Sequence, residues 1–280
     1  MKFKLLILLL STSILAETQR IIPLAPSINE ILFALGKGDK IVGNTTYADY
    51  PKESKSIEKV GGYFSVSVEK IVSLKPTLVL MQKNNLPLKP KLEKLGIKTE
   101  FIKISSLDDI KHGILKIGDL TDTKERAKSI IEDIEKELQK TKEVLKDKKI
   151  LIVFGRQFDL KKEVYVSGNS IYFADIIKAS GNQNAFSENS TKQPLLSYEG
   201  ILATNPDIIY ILAHLVKDEK ESKKMIEPWL QLPITASKAK TIYVTTKPYA
   251  GRPSHRVINF IQDFREVLED AKSKLTLIQD

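Results

Sequence analysis

Two glutamates stand 130 positions apart in the same local setting, Ser67-Val68-Glu69 and Ser197-Tyr198-Glu199. Ile71 and Ile201 follow in register, and Pro76 and Pro206 close the two copies. A carboxylate at such a place favours the positive end of a helix that opens at the serine. A second set of residues is aromatic and cationic: Tyr47, Tyr63, Phe64, Arg156, Phe158, His214, Tyr249 and Arg252. Ring faces and two arginines suit a bulky planar or chelated ligand with anionic groups. His214 follows an apolar run and is a candidate metal ligand or stacking ring, although a lone histidine is more often structural.

The elements that must position these groups read as strands alternating with helices. Each copy of the repeat is a short helix opening at Ser, stopping before Pro, and running into a buried strand, at Leu78 to Leu80 and Ile208 to Tyr210. A repeat at this distance is too long for a solenoid and points to two similarly built lobes with a cleft between them. Arg20 to Ala25 reads as the first strand, and Ser27 with Glu30 as a capping box opening a helix that Gly36 ends. Lys40 to Gly43 reads as the next strand, Thr99 to Ile104, Lys149 to Gly155, Val164 to Val166 and Thr241 to Thr245 as later ones. Asp122 to Lys148 carries one apolar stripe, Ala127, Ile130, Ile131, Ile134, Leu138 and Leu145, and predicts a connecting helix about 40 Å long. The fold class is therefore α/β, two lobes with mostly parallel sheets joined by one long helix. The expected divisions are 1–16 as a signal peptide, 17–121 as one lobe, 122–148 as the connector and 149–280 as the other lobe. In α/β lobes ligands gather beyond the carboxyl ends of strands, where the aromatic and cationic set falls.

The first residues resemble an export signal. Lys2 and Lys4 precede the aliphatic run Leu5 to Leu10, and Ala16 precedes a polar stretch. The apolar stretch of 12 residues from Leu5 to Ala16 is short of the roughly 20 that span a bilayer. The chain has no cysteine, so neither a disulfide nor a lipid-carrying cysteine after the signal is available. A free periplasmic protein is expected. Taking away Lys2 and Lys4 leaves 42 basic against 35 acidic residues, a net +7. These charges are interspersed rather than gathered in a stripe with aromatics, which argues against nucleic acid.

Several stretches together resemble the iron-chelate and vitamin B12 periplasmic binding proteins. They are Arg20 to Ser27, Glu30 to Gly36, Val42-Gly43 to Tyr47-Ala48-Asp49-Tyr50-Pro51, Val60-Gly61-Gly62-Tyr63 before Glu69-Lys70-Ile71, and Arg252-Pro253-Ser254-His255-Arg256. The resemblance covers nearly all of the chain after the signal. It implies a binding protein with a helical backbone that delivers a metal chelate to an ABC permease dimer with its ATPase. It gives Glu69 and Glu199 the role of meeting arginines of that permease. It aligns Tyr249 with a position that is aromatic in vitamin B12 binders and coordinates iron in some siderophore binders. Known corrinoid binders of this family surround their ligand with tryptophans, whereas this chain has only Trp229. The reading leans to a ferric chelate, with a corrinoid or heme as alternatives within the family.

Other classes fit less well. No nucleophile elbow, zinc-binding histidine pair or phosphate-cradling loop is present, so a secreted α/β enzyme is not favoured. His112, His214 and His255 are far apart, and no His-rich loop exists to hold a free metal ion. The expectation is a monomeric carrier with no intrinsic cofactor, its cargo an iron or cobalt complex.

Overall fold

The computed structural model describes residues 19–187, 193–214, 216 and 218–278. The expected signal segment lies outside the described residues.

The first lobe is built on three parallel strands, β1 (Ile21–Pro23), β2 (Leu78–Met81) and β3 (Lys98–Phe101), in spatial order β1-β2-β3. β1 and β2 are buried along their full length, as short aliphatic runs in parallel sheets must be. Helix α1 (Pro26–Ala34) follows β1, α2 (Val68–Ser73) precedes β2, and α3 (Lys89–Lys94) lies between β2 and β3. The stretch read as a strand at Lys40 to Gly43 is instead a 3-10 turn, Gly38–Lys40, and a single bridge from Ile41 to Ile21.

The second lobe has a six-stranded mixed sheet. Strands β4 (Lys149–Phe154), β8 (Ile208–Leu212) and β9 (Ile242–Thr245) run parallel, with β6 (Gln183–Asn184) parallel to β4. On the far side, β5 (Val164–Val166) and β7 (Leu195–Leu196) pair antiparallel, giving the order β7-β5-β4-β8-β9. Helices α6 (Tyr172–Ala179), α7 (Tyr198–Thr204), α8 (Glu219–Leu230), α9 (Thr235–Ala239) and α10 (Val257–Thr276) complete it.

Between the lobes run two helices, α4 (Leu107–Leu120) and α5 (Lys124–Lys142). Sequence reasoning did not identify α4, although Ser106 and Asp109 close a full capping box at its start. The predicted connector of Asp122 to Lys148 is shorter in the fold. Asp122 takes a left-handed conformation (φ 54°) that separates α4 from α5, and Lys142 ends α5. Its 19 residues span about 28 Å.

The lobes share one core. A single apolar cluster takes in Ile28, Ile31 and Leu32 of α1, Ile110 and Ile114 of α4, Ile134 of α5, Phe173 of α6 and Phe260 and Phe264 of α10. Separate clusters cover the outer face of each sheet. Backbone bonds also cross: the Leu107 amide donates to Asp175 Oδ2 (2.8 Å) and the Tyr172 amide to the Ser105 carbonyl (2.9 Å). An interface built this way resists a wide hinge motion.

Candidate functional site

The repeat is formed as its sequence implies. Ser67 Oγ accepts from the Lys70 amide and Ser197 Oγ from the Gly200 amide, so each serine caps its helix. Glu69 and Glu199 lie exposed in the first turns of α2 and α7. Beside the second, Lys161, Glu163, Ser197, Tyr198 and Glu199 line a concavity of about 430 Å³.

On the first lobe, the loops beyond the strands carry Tyr47, Tyr63 and Phe64. Tyr63 is fixed by a chain of bonds: its hydroxyl donates to Gln82 Oε1 (2.6 Å), and Gln82 Nε2 donates to Ser27 Oγ (3.0 Å). Asn84 Nδ2 holds the Tyr63 carbonyl (2.7 Å). Burial pushes the Tyr63 phenol up, so it stays a protonated donor. Phe64 stands edge-on to it, with centroids 4.8 Å apart, and is 86% exposed. The turn carrying this pair needs Gly61, which sits at φ 132°, a region an L side chain rarely adopts.

The loop with Tyr47, Asp49 and Tyr50 is pinned from below by a buried polar network. Lys59 Nζ donates to Asn44 Oδ1 (2.6 Å), the Ser54 carbonyl (2.8 Å) and the Ala48 carbonyl (3.2 Å). Asn29 Nδ2 donates to Ser54 Oγ (2.8 Å) and the Tyr50 carbonyl (3.0 Å). Burial holds the Lys59 ammonium below its ordinary range, with Asp49 opposing that shift. Satisfied acceptors on every side make such a network rigid.

On the second lobe, Arg156 follows β4 through Gly155, another positive-φ position (98°). Its guanidinium lies over the Phe158 ring at 5.1 Å and pairs with Glu221 of α8. Arg156, Phe158, Asp218, Lys220, Glu221 and Lys224 line an open concavity of about 460 Å³ past the carboxyl ends of β4 and β8. His214 lies exposed after β8. Beyond β9, Tyr249 donates to Asp263 Oδ2 (2.9 Å), and Lys247 Nζ donates to Asp263 Oδ1 (2.7 Å). Burial raises the Tyr249 phenol; Lys247 opposes the rise and Asp263 adds to it.

Where the lobes meet, the arrangement departs from the sequence reading. Glu30 does not cap α1, whose first residues follow Ala25 with no side-chain cap. Its carboxylate is fully buried and receives four donors from the second lobe. Arg256 gives Nη2 to Oε1 (2.5 Å) and Nε to Oε2 (3.0 Å); Ser254 Oγ gives a bond to Oε2 (2.6 Å); Arg252 Nη1 reaches Oε1 at 3.1 Å. The same Arg252 nitrogen reaches Asp49 Oδ1 (3.0 Å). Arg256 also stacks on the Tyr50 ring at 3.7 Å and lies 5.7 Å from the Tyr249 centroid. Ser27 serves Gln82 rather than a helix end.

The structure thus brings Tyr249 and Arg252 together with Glu30, Asp49, Tyr50 and Arg256 across the lobe boundary. Tyr63 with Phe64 and Arg156 with Phe158 form separate local pairs. Glu30, Asp49, Tyr50, Ser254 and Arg256 lie in stretches that carry the family resemblance but were not among the candidate site residues read from sequence. The available signal was an acid at position 30 amid the apolar stripe of Ile28, Ile31 and Leu32, which demands a cationic partner once buried. Among the described residues no group of three or more His, Cys, Asp or Glu side chains is placed to hold a metal ion. Among them also, no helix is long and apolar enough to cross a membrane.

The family model for periplasmic binding proteins matches residues 21–249. This chain belongs to that family. The vitamin B12-binding protein of Vibrio parahaemolyticus is 27% identical over 259 residues, covering 91% of each chain. Among solved structures, the periplasmic vitamin B12 binding protein BtuF of Vibrio cholerae superposes with a TM-score of 0.75 at 22% identity, over 91% of this chain and 98% of that one. The periplasmic heme-binding protein RhuT from Roseiflexus sp. RS-1 gives 0.72 at 23%, over 91% and 99%.

Proposed function

We propose that this chain is the exported substrate-binding protein of an ABC importer, and that it captures a corrinoid-like metal chelate between its lobes and passes it on unaltered. The supporting observation is the set of aromatic rings left open at the strand ends. Phe64 is 86% exposed, Tyr47 65%, Tyr50 43% and Phe158 42%. Rings so exposed gain about 1.5–3 kcal/mol each if a ligand buries them fully. A ligand with a broad apolar face uses them; a small hydrophilic one does not. Arg156 and Arg252 supply cationic groups beside those rings for the anionic groups of the ligand. Curated relatives named as vitamin B12-binding proteins fit the same reading. A ferric chelate is a second reading, favoured by the two arginines and by Tyr249. Glu69 and Glu199 serve the permease, each presented on an equivalent helix start of its lobe.

Isothermal titration of the mature protein with cyanocobalamin, hemin and a set of ferric siderophores tests the proposal. Tightest binding is expected for cyanocobalamin, at one per chain. Binding of siderophore alone would move the assignment to the second reading.

A further inference from the structure

The helix starts that carry Glu69 and Glu199 differ in what surrounds them. In the second lobe the chain ahead of Ser197 is β7, which pairs with β5 so that Tyr165 lies opposite Leu195 and Val164 opposite Leu196. Val164 and Leu196 turn into the core, so Tyr165 and Leu195 stand together on the outer face, 50% and 47% exposed. One step along the same ribbon come Glu163 and Ser197, which line the concavity of about 430 Å³ with Lys161, Tyr198 and Glu199. Glu163, Tyr198 and Glu199 are all exposed. A strip of two large apolar side chains therefore leads into a recess that holds a ring face and two carboxylates against one lysine.

The first lobe has the same ladder without these side chains. The Ser67 amide donates to the Val60 carbonyl (2.8 Å), the Gly62 amide donates to the Ser65 carbonyl (3.1 Å), and Val66 bridges Gly61 between them. Aligned on the two capping serines, Ser65 stands for Leu195, Gly62 for Tyr165, the buried Val60 for Glu163 and Val68 for Tyr198. Lys70 follows Glu69 where Gly200 follows Glu199. Both copies keep the glutamate and its cap, but only the second surrounds it with an apolar face and a second acid. A paired Tyr and Leu facing out at a sheet edge invite association, which suits a surface that a partner covers.

We propose that the second lobe is the anchor of the permease complex, and that its edge ribbon seats a permease arginine together with an adjoining apolar side chain. The inference rests on the importer reading above and names the lobe and the residues that carry the contact. A guanidinium is the cation that combines bidentate pairing to a carboxylate with stacking on a ring. Glu163 and Glu199 supply the carboxylates and Tyr198 the ring, while Tyr165 and Leu195 cover the apolar neighbour. At the corresponding positions the first lobe presents Glu69 beside Lys70, which supports orientation and encounter more than tight holding.

The test measures binding of the protein to the permease–ATPase complex of the same organism, reconstituted in nanodiscs, by interferometry. Tyr165→Ser combined with Leu195→Ser gives the second lobe the small residues of the first, and should weaken binding about tenfold. Glu163→Gln should weaken it about two- to fivefold. Glu199→Gln should cost at least about threefold more affinity than Glu69→Gln. The double serine variant removes one exposed cross-strand pair, so it should melt within about 4 °C of the unaltered protein, and Glu163→Gln gives a reading that does not depend on it. Equal losses for Glu69→Gln and Glu199→Gln, or unchanged binding in the double serine variant, would overturn the inference. If both glutamine variants still weaken binding in that case, the docking role of the two glutamates stands without it. If the unaltered protein does not bind the complex, the importer reading and the anchor fail together.

Discussion

Arg252 and Arg256 both reach Glu30, yet their loss should have very different consequences. Arg256→Ala removes two bonds to a fully buried carboxylate and the guanidinium that lies on Tyr50 at 3.7 Å. Breaking a buried pair from one side costs about 3–5 kcal/mol, because the remaining charge stays out of water. For a chain of this size each kcal/mol moves the melting temperature by about 2–4 °C. The expected loss is therefore roughly 6–20 °C. Arg252→Ala leaves Glu30 with three of its four donors and frees an exposed Asp49, at a cost of about 0–1 kcal/mol. Its melting temperature should fall by no more than about 4 °C. Thermal unfolding followed by circular dichroism, with both variants in one buffer, measures the contrast. If Arg252→Ala melts as low as Arg256→Ala, or if Arg256→Ala melts within about 2 °C of the unaltered protein, the division between an arginine that holds the fold and one the fold can spare is wrong.

Three further outcomes follow from the same geometry. Among the described residues His255 Nδ1 is enclosed without a partner, and burial pushes its pKa down to about 4, with the Glu30 charge opposing the shift and the Arg256 charge adding to it. The unfolded chain then takes up a proton first, so this contribution is complete above about pH 6.5 and is lost as pH falls from 6.5 to 4, up to roughly 3 kcal/mol; a pH series of melts should show a flatter acid limb in His255→Gln. Tyr249→Ala should weaken chelate binding about tenfold or more with a melting temperature close to the unaltered protein, and unchanged affinity by calorimetry would remove Tyr249 from the groove. Glu69→Ala combined with Glu199→Ala should leave chelate affinity intact and cut uptake in cells; normal uptake would reduce both residues to helix-start charges.

Local chemistry made the repeat legible: Ser67 and Ser197 cap their helices as read, and the buried runs at Leu78 and Ile208 are strands. The alternation of strands and helices carried the fold class. The same local rule misled at Ser27 and Glu30, where a capping pattern is present but a buried cation 226 positions away claims the carboxylate. Burial against a distant element outweighs the modest gain of a cap, and a single sequence does not display that pairing. β5 was read as a strand from its β-branched residues, but its antiparallel pairing with β7 was hidden, since a strand of two residues carries no periodicity. The candidate residues were found by their types at strand ends. Their grouping into a cross-lobe node and two separate pairs depends on tertiary geometry.

A crystal structure of the protein with its chelate tests the central claim most directly. The account requires one chelate per chain, seated between the lobes, with Tyr63 or Phe64 on one side, Phe158 or Tyr249 on the other, and Arg252 on an anionic group. A chelate bound on a single lobe, or away from Tyr249 and Arg252, would contradict it.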